Sequence, residues 1–123
     1  MTNTFEEVIA WQKARVFIRH VYSATKTFPD DEKFGLVSQF RRSAISIAAN
    51  IAEGYKRIGR DDKLRFFNYS QGSLEECRCY IILSLDLGYL SDSNASIMIQ
   101  EIEETSKLLN GYSSAIINRK TWD

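Results

Sequence analysis

Apolar residues recur at steps of three and four along nearly the whole chain, which is the spacing of one face of an α-helix. Two residues interrupt this pattern: Pro29 breaks a helix, and Gly88 provides the left-handed conformation that ends one. The pattern therefore predicts an all-α protein. The four predicted helices cover residues 5–28, 32–57, 61–87 and 93–118.

Each predicted helix has one apolar stripe, and the four stripes together define the expected core. The predicted core residues are Val8, Trp11, Ile18, Val21, Tyr22, Thr25 and Phe28; Leu36, Phe40, Ala44, Ile47 and Ile51; Phe66, Phe67, Ser70, Leu74, Cys77, Ile81 and Leu85; and Ala95, Met98, Ile102, Thr105, Leu109, Tyr112 and Ile116. Asp30 is expected to cap the second helix. Long helices joined by short turns are typical of an up-down-up-down four-helix bundle, here a single domain over residues 1–123.

The overall charge is balanced, with sixteen basic and sixteen acidic residues. The whole molecule thus lacks the electrostatic field that would draw it to nucleic acid or to an anionic membrane, and any such contact must come from a local patch. No apolar run reaches the ~18 residues of a membrane span, and the first ten residues do not resemble a signal peptide. We therefore expect a cytoplasmic protein with no membrane partner.

One band of the second helix is polar and unusually small. Projected on a helix, it contains Gln39, Ser43, Ser46, Asn50, Glu53 and Arg57. A solvent-facing band normally carries Lys, Glu and Arg, whereas Ser and Asn are mediocre helix formers. In the third helix, Gly72 precedes Ser73 at positions where glycine costs about 1 kcal/mol relative to alanine. Close packing of another chain explains both features; a solvent-facing surface and a ligand or catalytic site are the alternatives.

Four segments of the chain follow a known family pattern. They are "WQKA" at 11–14, "VYSATKTFP" at 21–29, "FGLVSQFRRSAISIAANIAEG" at 34–54 and "GSLEE" at 72–76. In these segments the chain resembles the four-helix-bundle family encoded in 23S rRNA intervening sequences. That family is similar in fold to the accessory variability determinant of diversity-generating retroelements. Ala48 departs from the pattern, since many relatives have proline there.

The resemblance implies a ring-shaped homopentamer without enzyme activity. The first partner is then a second copy of the chain, and the predicted oligomer interface contains Gln39, Arg42, Ser46, Asn50, Glu53, Gly72, Ser73 and Glu76. No cofactor is predicted. The expected function is that of an oligomeric scaffold or accessory protein, with RNA, DNA or a nucleic-acid-handling protein as a further partner.

The turn between the second and third helices gives the strongest nucleic-acid signal. Its basic residues are Lys56, Arg57, Arg60, Lys63 and Arg65, set against Asp61 and Asp62. A ring would repeat this cluster around one end, and phosphate binding strengthens with the number of phosphates neutralised together. The cluster is therefore a candidate nucleic-acid contact, with a solvated loop as the alternative.

Signals for catalysis and metal binding are weak. The one histidine, His20, lacks the Glu-x-x-His pattern of a di-metal bundle site. Arg15 and His20 fit the form of the Arg-x4–6-His motif of HEPN-type RNases, but in the first helix rather than a late one. Cys77 and Cys79 point about 200° apart on a helix, so they cannot pair, and Cys77 is expected to be buried. We predict no catalytic residue and no metal site; a weak HEPN-like RNase and a purely structural protein-partner module are the alternatives.

Overall fold

The computed structural model describes residues 4–119. Four α-helices dominate this part of the chain: α1 (Ile9–Thr25), α2 (Leu36–Lys56), α3 (Arg60–Asp86) and α4 (Asp92–Ile117). Two short 3-10 turns occupy Phe5–Glu7 and Asp30–Glu32. No β-strand occurs within residues 4–119, and the prediction of an all-α fold is confirmed.

The four helices pack as a bundle in which each touches two neighbours. α1 contacts α2 and α4, and α3 contacts the same two helices, whereas the diagonal pairs make no close backbone contact. The connections between consecutive helices are short, so these helices run antiparallel. The contact between α2 and α3 is the most extensive of the four.

The buried residues of α4 are those that the sequence pattern predicts. They are Ala95, Met98, Ile102, Thr105 and Leu109. Tyr112 and Ile116 continue the stripe and are partly buried against the core. In α2 and α3 most of the large apolar positions also match, but the predicted Leu36, Phe66 and Leu85 are only partly buried, and Val37 is buried in addition. The other additional buried residues are small, such as Ser43, Gly54 and Ser84.

The observed buried face of α1 is displaced from the predicted one. It consists of Ala10, Ala14, Phe17, Val21 and Thr25. Trp11, Ile18 and Tyr22, which were expected in the core, flank this face and are partly exposed. The two alanines explain the difference, since small residues permit close packing but contribute little to a hydropathy pattern that larger side chains dominate.

Two helices begin later than the sequence predicts. α1 starts at Ile9, because Phe5–Glu7 form a separate 3-10 turn and Val8 is extended. The prediction that Asp30 caps α2 is wrong: Asp30 lies in its own 3-10 turn, and the N-cap position belongs to Gly35, which has no capping side chain. In contrast, Gly88 has a φ of 77°, which confirms it as a left-handed helix stop.

Candidate functional site

The polar band of α2 lies along the contact with α3 of the same chain. Ser73 Oγ donates a hydrogen bond to Ser46 Oγ at 2.9 Å. Asn50 Nδ2 donates to the backbone oxygen and to Oγ of Ser46, each at 2.9 Å. In the interior, Ser70 Oγ donates to the Ile47 carbonyl at 2.7 Å. These small side chains bring α2 and α3 together within one chain.

The intrachain bonds divide the predicted interface residues into two groups. Ser46 and Ser73 contact each other between α2 and α3, so their small size does not require another chain, and their place in an oligomer interface stays a prediction. The side chains of Gln39, Arg42 and Glu76 are exposed and form no hydrogen bond or ion pair within residues 4–119. These three residues and the exposed Gly72 form what we call the outer α2–α3 face.

Gly54 of α2 and Gly72 of α3 have very different surroundings. A Cβ atom at Gly54 would lie 2.6 Å from the Phe67 ring and 3.1 Å from the Lys63 backbone oxygen, so the approach of α3 requires glycine there. A Cβ atom at Gly72 would meet nothing within 4 Å. Gly72 therefore weakens α3 by about 1 kcal/mol relative to alanine, and no contact inside the chain requires it.

Large apolar side chains also lie on the outward sides of these helices. Ile45 of α2 is 45% exposed, and Tyr69 and Leu83 of α3 are 47% and 43% exposed. Single exposed apolar residues are ordinary on protein surfaces. Here they flank the unpaired charges and Gly72, so this side of the bundle combines apolar, small and charged groups, as a subunit contact does.

Carboxylates pair with much of the predicted basic cluster at the α2–α3 turn. Arg65 Nη2 lies 2.5 Å from Asp62 Oδ1, and this hydrogen bond holds the pKa of Asp62 below its usual value. Arg57 pairs with Glu53 at 2.6 Å and with Asp62 at 3.6 Å. Both guanidinium groups pack over the Phe66 ring, with the Cζ of Arg57 4.6 Å and the Cζ of Arg65 4.7 Å from the ring centroid. The arginines and Phe66 thus brace the turn.

Lys63 holds the end of α2 rather than facing solvent freely. Its Nζ donates to the backbone oxygens of Tyr55 at 2.7 Å and Gly54 at 3.3 Å, which the helix leaves without partners. Burial lowers the pKa of Lys63, and the nearby charge of Arg119 lowers it further. The ammonium group is therefore committed to the helix C-terminus.

Arg60 and Lys56 complete the basic cluster. Arg60 Nε lies 3.4 Å from Asp61 Oδ1. Lys56 is exposed and forms no hydrogen bond or ion pair within residues 4–119. The three arginines of the cluster thus pair with carboxylates and Lys63 bonds to backbone oxygens, whereas Lys56 has neither kind of partner among residues 4–119.

Different groups engage Arg15 and His20. His20 Nδ1 lies 2.8 Å from Glu101 Oε1 across the contact between α1 and α4. The Arg15 guanidinium packs over the Trp11 ring, 5.6 Å from its centroid. Among residues 4–119, no group of three or more His, Cys, Asp or Glu side chains could hold a metal ion. Within the same range, no helix is long and apolar enough to cross a membrane.

The two cysteines lie in different environments, and the predicted burial of Cys77 is confirmed. Burial raises the pKa of Cys77 to about 12, and the adjacent Glu76 carboxylate adds to the shift. Cys79 is exposed. Since the thiolate is the reactive form, Cys77 is inert at neutral pH.

A groove that the sequence pattern does not predict opens between the start of α1 and the C-terminal half of α4. Its volume is about 820 Å³, and its lining includes Val8, Ala10, Leu108 and Tyr112. Gly111 also borders it, and a Cβ atom there would meet nothing within 4 Å. An exposed glycine in the last third of a helix is a signal that sequence reasoning could have used.

These observations define a small four-helix-bundle protein with an exposed, incompletely paired face along α2 and α3. The chain belongs to the 23S rRNA-intervening sequence protein family, whose model matches residues 6–111. The family membership predicted from the four sequence segments is thereby confirmed.

One solved structure shows how far the fold is shared. It is a crystal structure of a protein of unknown function from the S23 ribosomal protein family of Bacteroides thetaiotaomicron. The two structures have a TM-score of 0.78 at 22% sequence identity, over 86% of this chain and 96% of that one. At this identity the likeness shows the fold alone. No curated protein is significantly similar to the chain.

Proposed function

We propose that the protein is a non-enzymatic scaffold or accessory protein that acts as a closed homo-oligomer, a ring of five copies as the family resemblance implies. The outer α2–α3 face forms one side of the subunit contact. Gly72 is the observation that supports this most directly, because an exposed helix glycine without an intrachain neighbour is explained by close approach of another surface.

The charged residues of this face support the same proposal. Arg42 and Glu76 are exposed and have no partner within residues 4–119, so a second chain can supply one for each. Glu101 engages His20, the Trp11 ring engages Arg15, and Cys77 is buried with a raised pKa, so none of these three offers an activated nucleophile or base. A binding role therefore fits the surface better than a catalytic one.

A bulky side chain at Gly72 tests the proposal. Gly72→Leu should keep or raise helix content by circular dichroism, because leucine is the better helix former, yet reduce the oligomer mass in sedimentation. The matched control is Glu75→Leu on the same helix, where the native carboxylate lies 3.6 Å from Arg78. If Gly72→Leu sediments like the unaltered protein, the outer α2–α3 face is not the contact.

Nucleic-acid binding at the basic rim is a second and weaker candidate. Its support is the exposed Lys56, which a ring would repeat at one end of the assembly. The ion pairs of Arg57, Arg60 and Arg65 reduce the charge available to phosphate. We expect at most modest, sequence-independent binding of structured RNA or DNA at about 50 mM salt. Lys56→Glu should abolish it without changing oligomer mass, and undetectable binding by the unaltered oligomer would exclude the role.

A further inference from the structure

Two glycines of the chain lie on exposed helix positions where nothing in the fold requires them. Gly72 of α3 and Gly111 of α4 are both exposed, and a Cβ atom at either would meet nothing within 4 Å. Glycine weakens a helix relative to alanine, so each position has a stability cost without an intrachain benefit. Close approach by a second surface would explain both.

The two glycines lie within about one helical turn of each other along the bundle. Gln71, next to Gly72, donates through Nε2 to Asn110 Oδ1 at 3.0 Å, and Asn110 is next to Gly111. The same side chain donates to the Ser106 carbonyl at 3.2 Å and accepts from Ser106 Oγ at 2.7 Å. α3 and α4 are thus in fixed register at this height.

One helical turn from each glycine lies an unpaired charged side chain, and the charges on α3 and α4 have opposite signs. Glu76 follows Gly72 by four residues, and Lys107 precedes Gly111 by four. Because α3 and α4 are antiparallel, each charge lies about 6 Å from its neighbouring glycine, toward the same end of the bundle. Both side chains are exposed, and neither forms an ion pair within residues 4–119. The two surfaces are therefore complementary in charge and lie within about one turn of each other in height.

One turn from the glycines toward the opposite end of the bundle, α3 has a large exposed side chain and α4 has short ones. Tyr69 of α3 is 47% exposed. The corresponding turn of α4 presents the exposed Ser114 and Ala115, and the groove of about 820 Å³ borders Gly111. A tyrosine ring on one surface can thus enter a region of short side chains on the other.

We propose that the subunit contact is heterologous: α3 of one copy, around Gly72, packs against α4 of the next copy, around Gly111, with Glu76 paired to Lys107 across the contact. This inference rests on the proposed assembly and names its second surface. A cyclic rotation brings together points at equal height along the ring axis. The register of α3 and α4 keeps the two glycines within about one turn of that condition when the bundles stand along the axis.

The angle between the two surfaces agrees with a small ring. The outward sides of neighbouring helices in a square bundle point about 90° apart. The two contact directions of one copy are about 90° apart in a ring of four and about 108° apart in a ring of five, so this geometry fits a small ring of either size. A two-fold contact of the outer α2–α3 face with itself would instead leave Gly111 and Lys107 without a role.

Charge exchange tests the pairing. Glu76→Lys and Lys107→Glu should each weaken the oligomer, raising its dissociation midpoint at least tenfold in dilution experiments. The double variant, which restores opposite charges, should return the midpoint to within about threefold of the unaltered protein. Circular dichroism checks that all three variants keep their helix content, as their exposed positions predict.

Disulfide trapping tests the geometry independently. In a Cys79→Ser background, a chain with both Gly72→Cys and Gly111→Cys should form a ladder of linked copies on mild oxidation, ending at the ring size. Each single cysteine variant should remain unlinked, because each glycine faces the other kind of surface.

The possible outcomes separate the two proposals. A monomeric unaltered protein would overturn the assembly and this pairing together. An intact oligomer whose double charge exchange shows no recovery would overturn the pairing alone, and so would dimers linked through Gly72→Cys by itself. A ladder from the double cysteine variant together with charge recovery supports the heterologous contact.

Discussion

The α2–α3 side and the α1–α4 side of the bundle are closed by opposite means. Between α2 and α3, short side chains meet: Ser46 bonds to Ser73, and Gly54 lies against the Phe67 ring. Between α1 and α4, long polar side chains reach across, as in the pair of Lys13 and Glu104 at 3.2 Å. A groove of about 820 Å³ opens on that side.

This difference determines how each side responds to change. A contact made of short side chains has no flexible atoms that can move aside, so added volume must displace a backbone or a ring. A contact bridged by long exposed side chains can lose one bridge and refill the space with water. We therefore expect large effects on the α2–α3 side and small effects on the α1–α4 side.

The largest expected effect is that of Gly54→Val. Even a single Cβ atom would lie 2.6 Å from the Phe67 ring, so overpacking should lower the free energy of unfolding by about 3 kcal/mol. Urea denaturation measures the loss. Gly59→Ser is the control, because a Cβ atom at Gly59 meets nothing within 4 Å and serine suits this N-cap position of α3, so the change should not destabilise the fold. If the two variants had equal free energies of unfolding, the α2–α3 contact would not be as rigid as we propose.

The next effect depends on pH. Because burial raises the pKa of Cys77 to about 12 from an ordinary value of 9.0, its thiol stays neutral in the fold while it ionises in the unfolded chain. The stabilisation is complete below pH 9 and is lost as the pH rises toward 12. Between pH 9 and 10.5 the free energy of unfolding should fall by about 2 kcal/mol from this group. Cys77→Ala should flatten that slope in urea titrations; an unchanged slope would mean that water reaches the thiol.

A smaller loss is expected from Ser70→Ala. This change removes the donor to the Ile47 carbonyl in the buried part of the α2–α3 contact, at a cost of about 1 kcal/mol. Denaturant midpoints at constant slope measure it. A neutral result would indicate that shape alone, without the hydroxyl bond, joins these helices.

The smallest expected effect is that of Glu104→Gln on the other side. The side chains of Lys13 and Glu104 are 47% and 56% exposed, and such surface pairs contribute less than about 0.5 kcal/mol. Unfolding curves in low and moderate salt should nearly coincide for the variant and the unaltered chain. A loss as large as that of Ser70→Ala would contradict the contrast between the two sides.

The sequence predicts the helices well where large apolar residues set the pattern, as in α4 with Met98, Ile102 and Leu109. It places the face of α1 less well, because Ala10 and Ala14 form the close contact there. Helix starts depend on local turns such as that around Asp30, which periodicity does not encode.

The candidate site could be located in part. The small polar residues of α2 and α3 predict a close contact on these helices. The sequence pattern does not indicate whether that contact is made by a helix of the same chain or by another chain. Only the structure shows that Ser46 faces Ser73 of the same chain while Gly72 faces nothing. Gly111 is far from Gly72 in sequence, and the bond from Gln71 to Asn110 reveals that the two glycines lie within about one turn of each other along the bundle.

The central claim, that this chain functions as an assembly, is tested most directly by the solution mass of the full chain at micromolar concentration. Light scattering coupled to size-exclusion chromatography should give five times the chain mass of 14.2 kDa, unchanged on moderate dilution. A mass of 14.2 kDa across the concentration range would contradict the account.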